Sequence, residues 1–513
     1  DSWFGLIYAN PGSGKSVLLN SLNMDFAAYY PSSLTPFIGI LDCGESAFGF
    51  IESLQASLPI ERRNECACVS LRNEHGTRQY TTNPFDIGLG RRRPLQREKT
   101  FAMNFLLVMC SELDQRPGLS ALIDSVVTQL YDRYSDMSVS SAQKIYQPDR
   151  DAVIDSALAR VGIKVHDNLS WWQIVDKFMK AERPDLAERA QRYAVPQLSD
   201  TISILSSEEL HKSHGEELCK LVRTQIDSAI NTFPAFAGET QLDIGNARIV
   251  TLDLKPVINM NPVTKSDERS NLLFFMISRE LFMKKISGDD GDIPAMLLPE
   301  GQTGQLYRDH WKRRYAEIHQ TRKRFCFDEF HITGSSPIMA SQIDQDVRQG
   351  RKWGLEILLV SQKLKDFEKY TEFAAKLYVL KESNKQEQDA LKSIFGAPDA
   401  IAQMAMDLCT GPVPGVGSTI LIRRAMKGHT SWHFGFNKLG PVRAWALTTT
   451  MEDRALKKAL AEVTGDLSKA LEILAGRFPN GSAKTYWDRV AAKYPPGTDI
   501  ATEIARALIN EHE

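Results

Sequence analysis

Ala9-Asn10-Pro11-Gly12-Ser13-Gly14-Lys15-Ser16 sets small residues, a lysine and a hydroxyl side by side, directly after the apolar run Trp3 to Tyr8 and before a helical stretch. Strand, glycine-containing loop and helix in that order make a cradle for phosphate. Small residues let backbone N–H groups curl around a β-phosphate, and the helix N-terminus points its positive end at the same place. Lys15 then reaches the β- and γ-phosphates, and the Ser16 hydroxyl ligates Mg2+. The nucleotide-binding set expected here is Asn10, Pro11, Gly12, Ser13, Gly14, Lys15, Ser16 and Val17. Ala9 stands where the GxxxxGK[ST] pattern has its first glycine, and it is small enough to keep the loop open. The competing reading is a glycine-containing turn that happens to end in Lys-Ser; the flanking strand and helix weigh against it.

A phosphate loop alone does not separate the nucleotide-hydrolysing classes, so the carboxylates decide. Arg324-Phe325-Cys326-Phe327-Asp328-Glu329-Phe330 is a short apolar strand ending in two acids. Asp328 is placed to hold Mg2+ and Glu329 to orient or activate the attacking water. Arg248 to Leu254 also reads as a buried strand with a carboxylate, Asp253, but no second acid follows and it is taken as core. Beyond Glu329 a helix is expected over Ile338 to Trp353, then a strand over Leu355 to Val360. At the tip of that strand Gln362 is the candidate sensor of the γ-phosphate. The base-reading Asn-Lys-x-Asp motif of GTPases is missing, with Asn384-Lys385-Gln386-Glu387 and Asn437-Lys438-Leu439-Gly440 as the nearest approaches. ATP with Mg2+ is therefore the expected ligand pair.

Arg348-Gln349-Gly350-Arg351-Lys352-Trp353-Gly354 ends the helix between the carboxylate strand and the sensor strand. Cations there can simply complement a helix C-terminus. The functional alternative is an arginine finger that completes a neighbouring subunit's site and makes hydrolysis depend on assembly.

These motifs together resemble the type IV secretion and conjugation ATPases of the HerA/FtsK superfamily. The shared features are the Asn10 to Ser16 loop, Asp42 in ILDCGES, Asn83-Pro84-Phe85-Asp86, the Phe327-Asp328-Glu329 strand end, Gly350-Arg351-Lys352-x-Gly354, and Gln362 eleven residues past Arg351. The resemblance spans nearly the whole chain, including Ala444 to Met451, and is nearest to the type IVB branch of DotO/IcmB and TraU. It implies a RecA-like core with two Walker motifs, a ring of like subunits, most simply a hexamer, and Arg351 acting in trans, with Arg348 as second choice. Arg423 and Arg424 are further candidates for coupling to the nucleotide state. It also implies inner-membrane secretion components and other secretion ATPases as partners. The place of work is then the cytoplasm, at the inner membrane through those partners. Relatives carry an N-terminal docking domain, so a chain that begins at Asp1 and enters a strand at once is expected to be the C-terminal ATPase portion of a longer protein.

The elements that must position these groups can be laid out along the 513 residues. The expected fold class is α/β, a P-loop NTPase core with a mainly parallel central sheet, an inserted all-α domain and C-terminal helices. The core is expected over 1–105 and 240–450, the helical insert over 106–239 and a helical region over 451–513. Periodic apolar runs such as LSALIDSVVTQLYDRY and WWQIVDKFMKA mark the insert, and Trp171-Trp172 reads as core rather than as a stacking platform. Movement of this insert is expected to deliver the force. Arg91-Arg92-Arg93 reads as a solvated basic run, or one facing a central pore, and Gly288 to Gly304 as a mobile surface loop.

A net charge of −2 shows no bias toward nucleic acid. DNA contact would need a local patch, and a hexameric DNA translocase is the main competing function; a nucleotide-binding scaffold without turnover is the other. Seven cysteines without a CxxC pair fit a reducing compartment. The longest purely apolar runs fall far short of the roughly 20 residues that span a bilayer.

Overall fold

The apolar runs that bracket the candidate residues become strands buried on both faces, the pattern expected of parallel sheets covered by helices. In the computed structural model, residues 3–29, 34–137, 141–242, 244–245, 247–332, 336–381, 384–413, 415–426 and 428–510 are described. The strands in chain order are β1 (Phe4–Tyr8), β2 (Phe37–Asp42), β3 (Cys66–Ser70), β4 (Ile249–Asp253), β5 (Lys323–Phe327), β6 (Leu355–Ser361), β7 (Lys376–Val379), β8 (Ser418–Met426) and β9 (His429–Asn437). They form one sheet in the order β3-β4-β2-β5-β6-β1-β7-β8-β9. Every pair from β3 to β7 is parallel, and β8 and β9 close one side as an antiparallel hairpin. The expected α/β class with a mainly parallel sheet is what the chain adopts.

Two compact units result. The first is Asp1–Ser70, Ile244–Lys255 and Arg322–Glu513, and it holds the whole sheet. Helix Lys15–Ala28 packs through Leu18 and Leu19 on Ile7, Ile38, Ile40, Leu358 and Val360 of the sheet. Removing a fully buried Leu or Ile from this layer would cost about 2–5 kcal/mol, because close packing leaves a cavity behind. The helices Met451–Thr464, Leu467–Arg477, Lys484–Ala491 and Ile500–Asn510 build a satellite core with Trp445, Leu456, Leu474 and Ile504. That bundle is tied to the helix Phe48–Ser57, where Lys457 Nζ lies 3.2 Å from Glu52 Oε2.

The second unit, Leu71–Asp243 with Pro256–Thr321, is helical among its described residues. The periodic runs of the sequence are the helices Leu119–Tyr134, Ala152–Val161, Trp171–Lys180 and Glu216–Thr232. The helices Gln96–Met109, Lys265–Ile286 and Gly301–Gln320 belong to the same unit. Trp171 and Trp172 are buried, as core residues.

Two expectations fail here. Arg91 and Arg92 are neither solvated nor free to line a pore: they are 3% and 1% exposed. Arg92 meets Asp136 at 2.7 Å and Asp176 at 2.9 Å and lies 4.2 Å over the Trp172 ring; Arg91 meets Glu98 at 2.5 Å. Burial is tolerable because each guanidinium finds a carboxylate partner. Arg93 alone is exposed, paired with Asp132. The stretch from Gly288 to Gly304 is not a bare surface loop either. It makes a 3-10 turn over Asp290–Ala295, buries Ile293, Met296 and Leu298, and begins the helix at Gly301.

Candidate functional site

At the carboxyl end of β1 the chain turns through the loop predicted to hold phosphate. The Ala9 N–H donates to Ser361 O at 3.2 Å, and the Ser13 N–H to Asn10 O at 3.2 Å, which closes the turn. Gly12 and Gly14 take φ of +73° and +83°, a region that side chains with a Cβ rarely enter. Lys15 then opens the helix Lys15–Ala28, with no acid in its first turn to repel an anion. Ser13 is buried, Asn10, Ser16 and Val17 are half-buried, and Pro11 and Gly12 are exposed. Backbone N–H groups, a helix N-terminus and an open approach are what a polyphosphate requires.

The carboxylates arrive from β5, separated from β1 only by β6. The Asp328 N–H donates to Leu41 O at 3.0 Å and continues the ladder for one residue. Glu329 then takes a φ of +56°, costly for a residue with a side chain. Its N–H donates to Asp328 Oδ1 at 3.1 Å. Lys15 Nζ lies 3.1 Å from Asp328 Oδ1 and donates to Glu329 Oε1. Gln362, just past β6, donates from Nε2 to Glu329 Oε2 at 2.9 Å. Lys15, Asp328, Glu329 and Gln362 are therefore brought to one point by the order β5-β6-β1.

Electrostatics follow from burial. Desolvation pulls the Lys15 ammonium down, but Asp328 and Glu329 outweigh it and hold its pKa above the ordinary lysine value. Burial raises the Asp328 carboxyl, opposed by the Lys15 charge. Asp42, at the end of β2, is pushed up to about 7 by burial and by the nearby Asp328 charge. It accepts the Ala47 N–H at 2.7 Å and the Ser46 hydroxyl at 3.1 Å. Asp253 is engaged by the Ser70 hydroxyl at 2.9 Å and the Lys255 N–H at 3.0 Å, ordinary duties for a strand end.

The arginines lie elsewhere. Lys323, which begins β5, donates its N–H to Gly354 O and its Nζ to Trp353 O, so the end of helix Pro337–Trp353 sits at the amino edge of β5 and β6. Lys15 and Glu329 are at the carboxyl edge. Strands of five and seven residues at about 3.3 Å per residue separate the two edges by roughly 15–20 Å. Arg351 is exposed there, and Arg348 pairs with Asp344 at 2.8 Å and lies 5.1 Å over the Phe373 ring. Arg423 donates to Ala374 O at 3.2 Å, near the same edge, and Arg424 stands opposite Lys376 in the β7–β8 ladder. None of these arginines joins Lys15 within one chain. In the second unit, Asn83 donates to Pro196 O at 2.7 Å and Asp86 accepts from Thr240 at 2.6 Å, so this segment is a buried hydrogen-bonded turn.

Two neighbours were not singled out from sequence. His331 Nδ1 stands 3.3 Å from Glu329 Oε2, returned by the turn Phe330–Ile332, and Cys43 Sγ stands 3.9 Å from Asp328 O. A histidine two residues past the second acid was the available signal; for Cys43 there was only adjacency to Asp42.

The donor set fits magnesium. Mg2+ takes one or two protein oxygens and completes its octahedron with phosphate oxygens and waters. Ser16 and Asp328 supply hard oxygen ligands of that kind, and among the described residues no group of three or more His, Cys, Asp or Glu could hold an ion unaided.

The fold has a counterpart among solved structures. VirB4 of Thermoanaerobacter pseudethanolicus superposes with a TM-score of 0.52 at 10% identity, over 86% of this chain and 90% of that one. At that identity the likeness is one of fold. No family model and no curated protein matches the sequence.

Proposed function

We propose that the chain is a magnesium-dependent ATPase, the motor subunit of a type IV secretion or conjugation system of the IVB kind within the HerA/FtsK superfamily. The observation that carries this is the meeting of Lys15 with Asp328 and Glu329, with Gln362 on the far oxygen of the same glutamate. The motif resemblance to secretion ATPases and the fold shared with VirB4 support the class.

In this mechanism the phosphate loop and Lys15 bind the triphosphate, and Ser16 and Asp328 hold the metal. Bound magnesium supplies charge neutralisation at the transferring phosphoryl group. Glu329 takes a proton from, or orients, the attacking water. Lys15 can serve the phosphates only by leaving Glu329, so binding frees the base that hydrolysis needs. Gln362, which touches Glu329, reports the change to β6. Arg351, too far from its own site, completes a neighbour's in a homo-oligomeric ring, taken as a hexamer.

The work is placed in the cytoplasm at the inner membrane, held there by secretion components and partner ATPases; among the described residues no helix is long and apolar enough to cross a membrane. The test is phosphate release by the assembled particle, with and without DNA. Lys15→Ala and Glu329→Gln should abolish it. Undiminished turnover in both variants would overturn the assignment, and strong DNA stimulation with steep salt dependence would turn it toward a DNA translocase.

A further inference from the structure

The sheet ends at β9, which is nine residues long where the opposite edge, β3, has five. In an antiparallel ladder alternate residues turn their N–H and C=O away from the neighbouring strand. Among the described residues the only backbone bonds of His429–Asn437 are those to β8, so the outer row of donors and acceptors is unpaired. A long open edge of this kind is a template for one more strand.

The side chains say what that strand must carry. Trp432, Phe434 and Phe436 alternate onto one face of β9, with Phe436 60% exposed. His429, Ser431 and His433 take the other face, all exposed, and exposed Arg424 stands directly opposite Ser431. From Leu408 to Met451 the sequence holds no Asp or Glu, in a chain with 64 acids among 513 residues. Arg443 is committed to Asp25 at 2.7 Å and Arg423 to Ala374 O at 3.2 Å, but Arg424 and Lys438 meet no acid among the described residues. Glu372 borders the hollow beside Met426 and His429, so the attraction for acids is concentrated further along the strand.

We infer that β9 is the docking edge for an extended segment of a partner protein in which apolar and acidic residues alternate. Its backbone pairs with the open row, and its apolar side chains continue the face of Trp432, Phe434 and Phe436. Its acids lie on the face of Arg424, about two strand spacings or roughly 10 Å away, within about one screening length at 0.1 M salt. Phosphates of a nucleic acid would answer the cations but leave the outward C=O groups without donors, so a peptide strand is the better complement. The inference does not depend on the nucleotide reading.

The experiment uses the full chain and a capped nine-residue peptide of alternating Val and Glu, with a Val/Lys peptide and the fully N-methylated Val/Glu peptide as comparisons. We expect the Val/Glu peptide to bind at least about tenfold more tightly than either, and to slow amide exchange over 429–437. Arg424→Glu/Lys438→Glu should weaken it at least about fivefold while the melting curve stays unchanged. Equal binding of the three peptides, or exchange over β9 that the Val/Glu peptide leaves unaltered, overturns the inference; neither result depends on a variant that must fold. Protection of β9 by oligothymidylate but not by the peptide overturns it in favour of nucleic acid. Protection that rises with protein concentration, with no peptide effect, overturns it in favour of a second copy of this chain.

Discussion

Gln362 reaches Glu329 with its amide nitrogen at 2.9 Å, across 33 residues of sequence. That contact holds one carboxylate oxygen while Lys15 holds the other, so the orientation of Glu329, the base in the proposed mechanism, depends on both neighbours. Gln362→Ala should lower the single-turnover rate of phosphate release by roughly 10- to 100-fold while nucleotide affinity changes little. An unaltered rate would make Gln362 a bystander.

Lys15 and Glu329 should separate cleanly in binding. Lys15→Ala should lose ATPγS binding, whereas Glu329→Gln should bind ATPγS more tightly than the native chain, because the neutral amide no longer competes for Lys15. A Glu329→Gln chain with weakened affinity would show that the ion pair does not restrain Lys15.

Arg351 and Lys15 sit at opposite edges of one sheet, which yields a mixing test. Arg351→Ala and Lys15→Ala chains should each be nearly inactive, the former by about 10³ or more where a finger acts. Mixed together, they should regain part of the turnover, since some interfaces then pair an intact loop with an intact arginine. No regain in a verified mixed oligomer would exclude action in trans. Arg348→Ala should have a smaller effect, its guanidinium being committed to Asp344.

Asp151 should make the helical unit acid-sensitive. It caps the helix Ala152–Val161 by accepting the Val153 and Ile154 N–H groups, and meets Arg189 at 2.6 Å and Tyr193 at 3.0 Å. Burial raises its pKa, but these donors outweigh it and hold the group below the ordinary 3.8. The folded form therefore gives up its proton more readily than the unfolded one. The resulting stability is full above that ordinary value and is lost as pH falls through the lowered one. Asp151→Asn should cost about 1–2 kcal/mol at pH 7, and denaturant melts should show the gap closing as pH falls below the ordinary 3.8.

Arg92 should be a structural keystone. Replacing it by Met leaves Asp136 and Asp176 facing the interior without a cation, at a cost of about 3 kcal/mol. The melting temperature should fall, and an unchanged melt would mean water satisfies both acids.

The site was legible to the extent that strand ends announce themselves. Phe4–Tyr8, Lys323–Phe327 and Leu355–Ser361 are short apolar runs broken by polar residues, and those residues stand where the strands stop. Asp253 also ends a short apolar strand, but no second acid follows it, and Ser70 and Lys255 engage it. Arg91 and Arg92 were misread because a run of like charge on paper does not display the acids that will surround it. The helices Lys265–Ile286 and Gly301–Gln320 lie between core strands in sequence but pack in the helical unit; periodicity separates helix from strand without saying which body a helix joins.

Among the described residues β1 pairs with β6 and β7, and both lie more than 340 residues downstream. During synthesis at roughly 5–20 residues per second, this first segment must wait some tens of seconds with its backbone unpaired and its apolar side chains bare. Until Ser361 has left the ribosome there is no complete strand for it to pair with, and its second neighbour ends only at Val379. Nascent chains should accordingly be dependent on holdase chaperones, and a product released early would be an aggregation hazard with no capacity for nucleotide.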